Sequence, residues 1–248
     1  RGQTGSTGLL VNVHITHCNQ NTGSLNHMSA LDPTQTLVEL TMAICDIESV
    51  SSNEAKLADE IEQVLTTASH LSITRDGNAV VARTNLNRDT RVIIAGHIDT
   101  VPVADNLPSR LHHFEREQVI FGRGTVDMKG GIAVMLKLAV ELQQPKFDVT
   151  WVFYDNEEVA ADLNGLGRLS RNHPELLTGE FAVLCEPTSA MVEGGCNGTV
   201  RVEVRTVGVK AHSARPWMGK NAIHALAHSL KILNDYQPAT ITVDGLAY

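Results

Sequence analysis

Cysteine is scarce in this chain of 248 residues: Cys18, Cys45, Cys185 and Cys196 are the only four, and no two form a CxxC pair. That is too sparse for a disulfide framework, so the thiols are expected to be reduced and mostly buried. Positive charge is also short. Lys and Arg total 20 against 28 Asp and Glu, the formal net charge is -8, and no basic stripe occurs, which argues against nucleic acid as a partner. No apolar run approaches the roughly 20 residues of a membrane span. The N-terminus lacks the basic start, apolar middle and small-residue cleavage site of a signal peptide. The expectation is a cytoplasmic protein with no membrane partner. What the chain does have is 42% hydrophobic residues, enough for one large domain, or one domain and part of another.

Residues 1–27 are rich in Gly, Thr, Asn and Ser without a sustained period and read as an irregular leader, with Met28 a candidate natural start. His14, His17 and Cys18 have metal-ligand chemistry, but an upstream extension is the simpler account of so irregular a segment. From Asp32 the pattern changes. Two helices are expected, one behind the Asp32-Pro33 start with Leu37, Leu40, Ile44 and Ile47 at helical spacing, the other behind Ser52. Strands are expected at "AVVART", "RVIIAGHIDTVPV", "DVTWVFYDNEEV" and "EFAVLCEPT", and helices at "GGIAVMLKLAVELQQ" and "GLGRLSRNHPEL". This alternation predicts an α/β fold, a three-layer sandwich with helices on both faces of a mixed sheet.

Ligands in such folds collect outside the carboxyl ends of strands, and several apolar segments end in polar groups. "VIIAG" is followed by His97 and Asp99, "FGRGTV" by Asp127, "VTWVFYDN" by Glu157 and Glu158, and "FAVLC" by Glu186. Two adjacent carboxylates after a buried strand repel one another, and a turn alone would need only Gly, Asn or one Asp. A positive partner is therefore expected. Imidazole and carboxylate without thiolate suit Zn²⁺, Co²⁺ or Mn²⁺ in a hydrolytic site. Singly, each residue has a structural alternative: His97 as a core histidine, Asp127 as the cap of a helix starting near Met128, Glu186 as a turn residue. Together, so many buried carboxylates without a cation would cost several kcal/mol per ion.

"GHIDTVP", "GRGTVDMKGG", "DNEEV", "CEPT" and "GVKAHSARPWMGKNAI", in this order, resemble the co-catalytic dizinc amidohydrolases and metallopeptidases that include glutamate carboxypeptidase, aminoacylase, acetylornithine deacetylase and succinyl-diaminopimelate desuccinylase. The resemblance runs from about Leu31 to Tyr248. Within the family, "YDNEEVAADLNGLGRL" and "LCEPTSAMVEGGCNGTVRVEVRTVG" look most like actinobacterial desuccinylases. The resemblance implies two Zn²⁺ ions, with Co²⁺ a possible substitute. His97 and Glu186 would bind the first, Glu158 the second, and Asp127 both. Asp99 would hold the His97 imidazole in its tautomer. Glu157 would be the general base that takes a proton from the attacking water and passes it to the leaving amine. The implied reaction is hydrolysis of N-succinyl-LL-2,6-diaminopimelate to succinate and LL-2,6-diaminopimelate, with acetylornithine deacetylation or dipeptide hydrolysis as neighbouring readings.

After Gly198 the text alternates as a half-exposed strand, "TVRVEVRTVGVKA", and then reads as one amphipathic helix, "NAIHALAHSLKILNDY". The expected division is a leader 1–27, a zinc-binding catalytic domain 28–198, and the start of a smaller α+β dimerisation domain, 199–248. The resemblance implies a homodimer formed through that second domain, with His212 reaching the partner's site to stabilise the oxyanion. A turn histidine is the alternative for His212. His224 and His228, four apart without a carboxylate, read as packing or exposed residues. In the family a further His from a returning C-terminal segment binds the second zinc, whereas this chain stops at "ATITVDGLAY". The expectation is an incomplete catalytic domain that alone holds about one zinc and turns over little, a metal-binding protein without catalysis, unless His112, His113 or His173 replaces the absent ligand.

Overall fold

The computed structural model describes residues 30–114, 117–194, 201–243 and 245–247. The leader 1–27, Met28, the His14, His17 and Cys18 cluster, Cys196 and the expected domain boundary at Gly198 lie outside the described residues. Contacts divide the chain into two units, Arg1–Ala190 and Met191–Tyr248.

The first unit opens with two helices, α1 (Leu37–Asp46) and α2 (Ala55–Thr66). The start of α1 is not the Asp32-Pro33 pair. Thr36 caps it, its hydroxyl facing the Glu39 N–H while the Glu39 carboxylate accepts the Thr36 N–H, a reciprocal capping box. Asp32 instead closes a turn by accepting the N–H and hydroxyl of Thr34. Ser52 likewise does not cap α2. It lies in the left-handed region (φ 71°), and Glu54 is the N-cap.

The strands are β1 (Ser72–Asp76), β2 (Ala79–Arg83), β3 (Arg91–His97), the hairpin β4 (Arg110–Phe114) and β5 (Glu117–Phe121), β6 (Asp148–Tyr154) and β7 (Phe181–Leu184). α3 (Lys129–Glu141) lies between β5 and β6, and α4 (Gly165–Asn172) and a 3₁₀ turn (Pro174–Leu177) between β6 and β7. Five strands form one sheet in the order β1-β2-β6-β3-β7. β1, β2 and β6 pair antiparallel, while β6, β3 and β7 run parallel. The sheet is therefore mixed, as expected, although strand-helix alternation alone would suit a parallel sheet. Every residue of β6 is buried, which is why "DVTWVFY" reads as an uninterrupted run.

Strand periodicity sorts the core into two faces. Val80, Ala82, Trp151 and Phe153 face α1, α2 and α3 through Leu40, Ile61 and Leu136. Val81, Val152 and Tyr154 face the other way, onto Leu169 of α4 and Leu176 of the 3₁₀ turn. Helices on both faces make three layers. "GLGRLSRNHPEL" is not one helix, because Pro174 cannot continue α4 and begins the 3₁₀ turn.

The second unit departs from its pattern. Among residues 201–220 the only pairing is the isolated bridge Val209–Lys220; alternation specifies a strand only where a neighbouring strand is present to take its hydrogen bonds. The expected single helix is two, α5 (Ala222–Ala225) and α6 (Ala227–Asp235), joined at Leu226, and neither buries a residue. Asn221 starts α5 by accepting the N–H groups of Ile223 and His224. No helix among the described residues is long and apolar enough to cross a membrane.

Candidate metal and catalytic site

The parallel register of β3 and β6 sets His97 opposite Tyr154, so both strands finish at the same level. β7 pairs with β3 through Ala95↔Leu184, which brings the following Cys185 and Glu186 to that edge. The loop into α3 supplies the fourth approach, with Asp127 just before Met128. Two glycines permit the closeness. A Cβ on Gly131 of α3 would lie 2.7 Å from the Cys185 carbonyl oxygen, and one on Gly96 would lie 2.6 Å from Met128 Cε. The Met128 thioether in turn receives the His97 backbone N–H at 3.3 Å.

His97 is 1% exposed. Its Nδ1 faces only acceptors, the Asp99 carbonyl oxygen at 3.0 Å and Asp99 Oδ1 at 3.4 Å. Nε2 likewise faces acceptors, Asp127 Oδ1 at 2.9 Å and Glu186 Oε1 at 3.9 Å, so both ring nitrogens donate while the ring is an imidazolium. Burial disfavours the imidazolium, but hydrogen bonds to Asp127 and Asp99 and the charge of Glu186 outweigh it and raise His97 to about 10. Asp99 is wholly buried. Its carboxylate accepts the Ser51 hydroxyl at 2.7 Å and the backbone N–H groups of Glu157 and Glu158. Burial alone would push its pKa up; the hydrogen bonds from His97, Glu157, Ser51 and Glu158 hold it below the usual carboxylate range.

The acidic doublet is fastened from its other side as well. Asp155, buried at the end of β6, pairs with Arg168 of α4 through both oxygens, at 2.7 and 3.1 Å. Arg168 also reaches Asp76 at 2.9 Å. Asn156, with φ 58°, accepts the Ser52 hydroxyl and donates to Asp155. The backbone thus turns Glu157 and Glu158 toward His97.

Two groups of side chains place single ligand atoms within 4.8 Å of one another: His97, Asp127 and Glu186, and His97, Glu157 and Glu158. Burial first, then Asp127, raises the Glu158 pKa; burial, opposed by His97 and reinforced by Asp127 and the doublet, raises that of Glu186. Asp127 and Glu157 are exposed and Glu158 and Glu186 half-buried, and a donor set of one imidazole with carboxylates fits a divalent metal. Two of the structural alternatives do not match the geometry. Asp127 makes no cap, because the α3 N-cap is Met128 with no side-chain hydrogen bond, and Glu186 stands beside His97 rather than in an isolated turn.

His112 and His113 lie exposed on β4, and His173 sits near Asp76 and Glu175. None of the three joins either ligand group among the described residues. His112 and His113 do line a cleft of about 650 Å³ that reaches Asp127 and Glu158, walled by Val101, Phe121 and Arg123. His212 belongs to the second unit, is exposed, and accepts the Ala214 N–H on its Nδ1. Cys45 is buried and Cys185 half-buried, and neither forms a disulfide. Sequence reasoning missed Ser51, Met128, Asp155 and Arg168. Asp155 alone left a signal, a carboxylate directly after the apolar run of residues 151–154.

Residues 93–245 match Peptidase family M20/M25/M40. The chain is 50% identical over 212 residues to a Mycobacterium tuberculosis protein named as a candidate succinyl-diaminopimelate desuccinylase, DapE, covering 85% of this chain and 59% of that one. It is 44% identical over 216 residues to the succinyl-diaminopimelate desuccinylase of Corynebacterium glutamicum, covering 85% and 58%. The chain thus spans under two thirds of these relatives' length. Among solved structures, a tripeptidase from Staphylococcus aureus matches with TM-score 0.56 and 16% identity, over 82% of this chain and 57% of that one. The aminopeptidase PepT from Bacillus cereus matches with TM-score 0.53 and 16% identity, over 84% and 58%. At that identity they show a shared fold.

Proposed function

Because the chain belongs to peptidase family M20/M25/M40, we propose that its strand-end cluster is the amide-hydrolysing centre of a metal-dependent desuccinylase. The substrate in this reading is N-succinyl-LL-2,6-diaminopimelate, cleaved to succinate and LL-2,6-diaminopimelate. The observation that carries it is the convergence of His97, Asp127 and Glu186, and of His97, Glu157 and Glu158, on one edge of the sheet. The names of the two actinobacterial relatives support the acyl group.

His97 and Glu186 would hold one Zn²⁺, Glu158 the other, and Asp127 both. Such cations, with Co²⁺ as a substitute, polarise a carbonyl and lower the pKa of water toward neutrality. The chain's own groups do the rest. Asp99 fixes the Nδ1 proton of His97 and so aims Nε2. Glu157, left free of metal, takes a proton from the attacking water and returns it to the departing amine nitrogen. The cleft ending at Asp127 and Glu158 receives the acyl amino acid. In this reading the second unit mediates a homodimer, in which His212 of one copy stabilises the oxyanion in the other. Apolar side chains such as Val202, Trp217 and Ile223, exposed on that unit, are what a partner would cover. The place of action is the cytoplasm.

The test is a zinc titration followed by turnover of N-succinyl, N-acetyl and dipeptide substrates, in this chain and in one of the relatives' full length. Preference for N-succinyl-diaminopimelate is expected. Preference for N-acetylornithine or a dipeptide would reassign the substrate, and zinc binding without any turnover would leave a metal-binding protein.

A further inference from the structure

Among the described residues, Arg123 is the one Lys or Arg lining the cleft that reaches Asp127 and Glu158. Its backbone N–H donates to the Asn106 carbonyl oxygen at 3.0 Å, which fixes the residue between the end of the β4–β5 hairpin and the segment after β3. Its guanidinium Nε is buried and has no hydrogen-bond partner. Arg83 Nε, which does not line the cleft, shares that state, whereas Arg75, Arg91 and Arg168 each face a carboxylate of the chain. A buried N–H without an acceptor is unfavourable, and a guanidinium fork matches a carboxylate with two parallel hydrogen bonds. A wall position with that unmet donor, in a cleft otherwise ending in acid, lacks an acceptor from outside the chain.

We propose that Arg123 is a specificity-determining residue that receives a free carboxylate of the substrate, one not involved in the bond being cleaved. The proposal rests on the reading of the site as an N-acyl amino acid hydrolase. It adds that an anion of the substrate must sit within reach of Arg123 at the cleft wall, since nearer Asp127 and Glu158 it would be repelled. The apolar wall from Val119, Phe121 and Val126 suits the methylenes between that anion and the amide. Two groups of such a substrate have this chemistry: the terminal carboxylate of the acyl chain and the carboxylate of the amino acid.

The experiment titrates the zinc-loaded wild type, Arg123→Gln and Arg123→Lys with the two products separately, succinate and LL-2,6-diaminopimelate, by calorimetry. At least one is expected to bind about tenfold more weakly to Arg123→Gln, with Arg123→Lys between, because Lys keeps the charge and loses the fork. Weakened succinate binding names the acyl carboxylate, and weakened diaminopimelate binding names the amino acid. Both products bound alike by wild type and Arg123→Gln, or neither bound by wild type, overturns the proposal. Melting curves show that each variant is folded, and should Arg123→Gln fail to fold, Arg123→Lys carries the comparison under the same criterion. Product binding needs no turnover. Failure of the desuccinylase reading therefore appears separately, as absent hydrolysis with product binding intact.

Discussion

Asp99 grips Glu157 by its backbone: Oδ1 accepts the Glu157 N–H at 2.9 Å while the same carboxylate receives the Ser51 hydroxyl at 2.7 Å. Its other oxygen takes the Glu158 N–H at 3.1 Å. One buried charge therefore positions the imidazole on one side and the acidic doublet on the other.

Asp99→Asn is expected to disturb both. An amide keeps the size but turns an NH₂ toward one of the N–H groups it formerly accepted. Outer partners of metal ligands typically contribute 10- to 100-fold in metal affinity, so zinc affinity should fall by about that factor, as read in a competition titration with a chelating dye. Unchanged affinity would mean that the His97 tautomer is fixed by the Asp99 carbonyl alone.

The two glutamates should separate under mutation. Glu157→Gln removes the proposed base and is expected to lower kcat by at least ~10²-fold with zinc content near normal. Glu158→Gln should instead lower zinc content. Elemental analysis of both proteins beside their turnover checks this, and equal metal content in the two variants would refute the division of labour.

Metal should reverse the pH response of stability. In the metal-free chain His97 has a raised pKa of about 10, so its contribution is full below its unfolded value and lost as pH rises toward 10. Glu158 and Glu186 are also raised, and their charged forms weaken the fold above the ordinary carboxylate range. Both effects make the metal-free melting temperature fall from roughly pH 6 to pH 9. Bound zinc needs the deprotonated ligands, so the loaded chain should gain over the same interval. At free metal about 100 times Kd the difference is about 2.7 kcal/mol. Calorimetric melting with and without chelator tests it; parallel curves would count against the site.

Arg168→Met should destabilise the fold and leave the ligands intact in sequence. It strands Asp155, a carboxylate buried at the end of β6. Breaking a buried pair costs roughly 3–5 kcal/mol, and about the lower end is expected because the Arg168 side chain is 26% exposed. Urea unfolding measures it. Adding Asp155→Asn should recover part of the loss.

How much of this was legible in the sequence depended on distance along the chain. β6 announces itself because it is buried on both faces, β3 because it runs from half-buried to buried, and the polar residues that end them are adjacent in sequence to those runs. The Arg168–Asp155 pair spans 13 positions and joins a helix to a strand, so no local pattern marks it. The backbone contacts of Asp99 use groups that every residue carries and leave no compositional trace. The cap of α1 was misread because Asp32-Pro33 and Thr36 with Glu39 are both valid starts, and only the turn closed by Asp32 decides between them. In the second unit, alternation over residues 199–211 predicts a strand, yet pairing depends on a neighbour that periodicity does not specify.

The spread of the cluster along the chain has a kinetic meaning. His97 and Asp127 are 30 positions apart, and Asp99 and Glu158 are 59 apart. Their meeting depends on the register of β3 with β6, a pairing of distant segments whose loop-closure entropy must be met before contact is made. Full coordination of a cation would therefore require that sheet to exist first. A cation held there acts as a latch and not as a nucleus: it should lengthen the lifetime of the folded chain without hastening its formation.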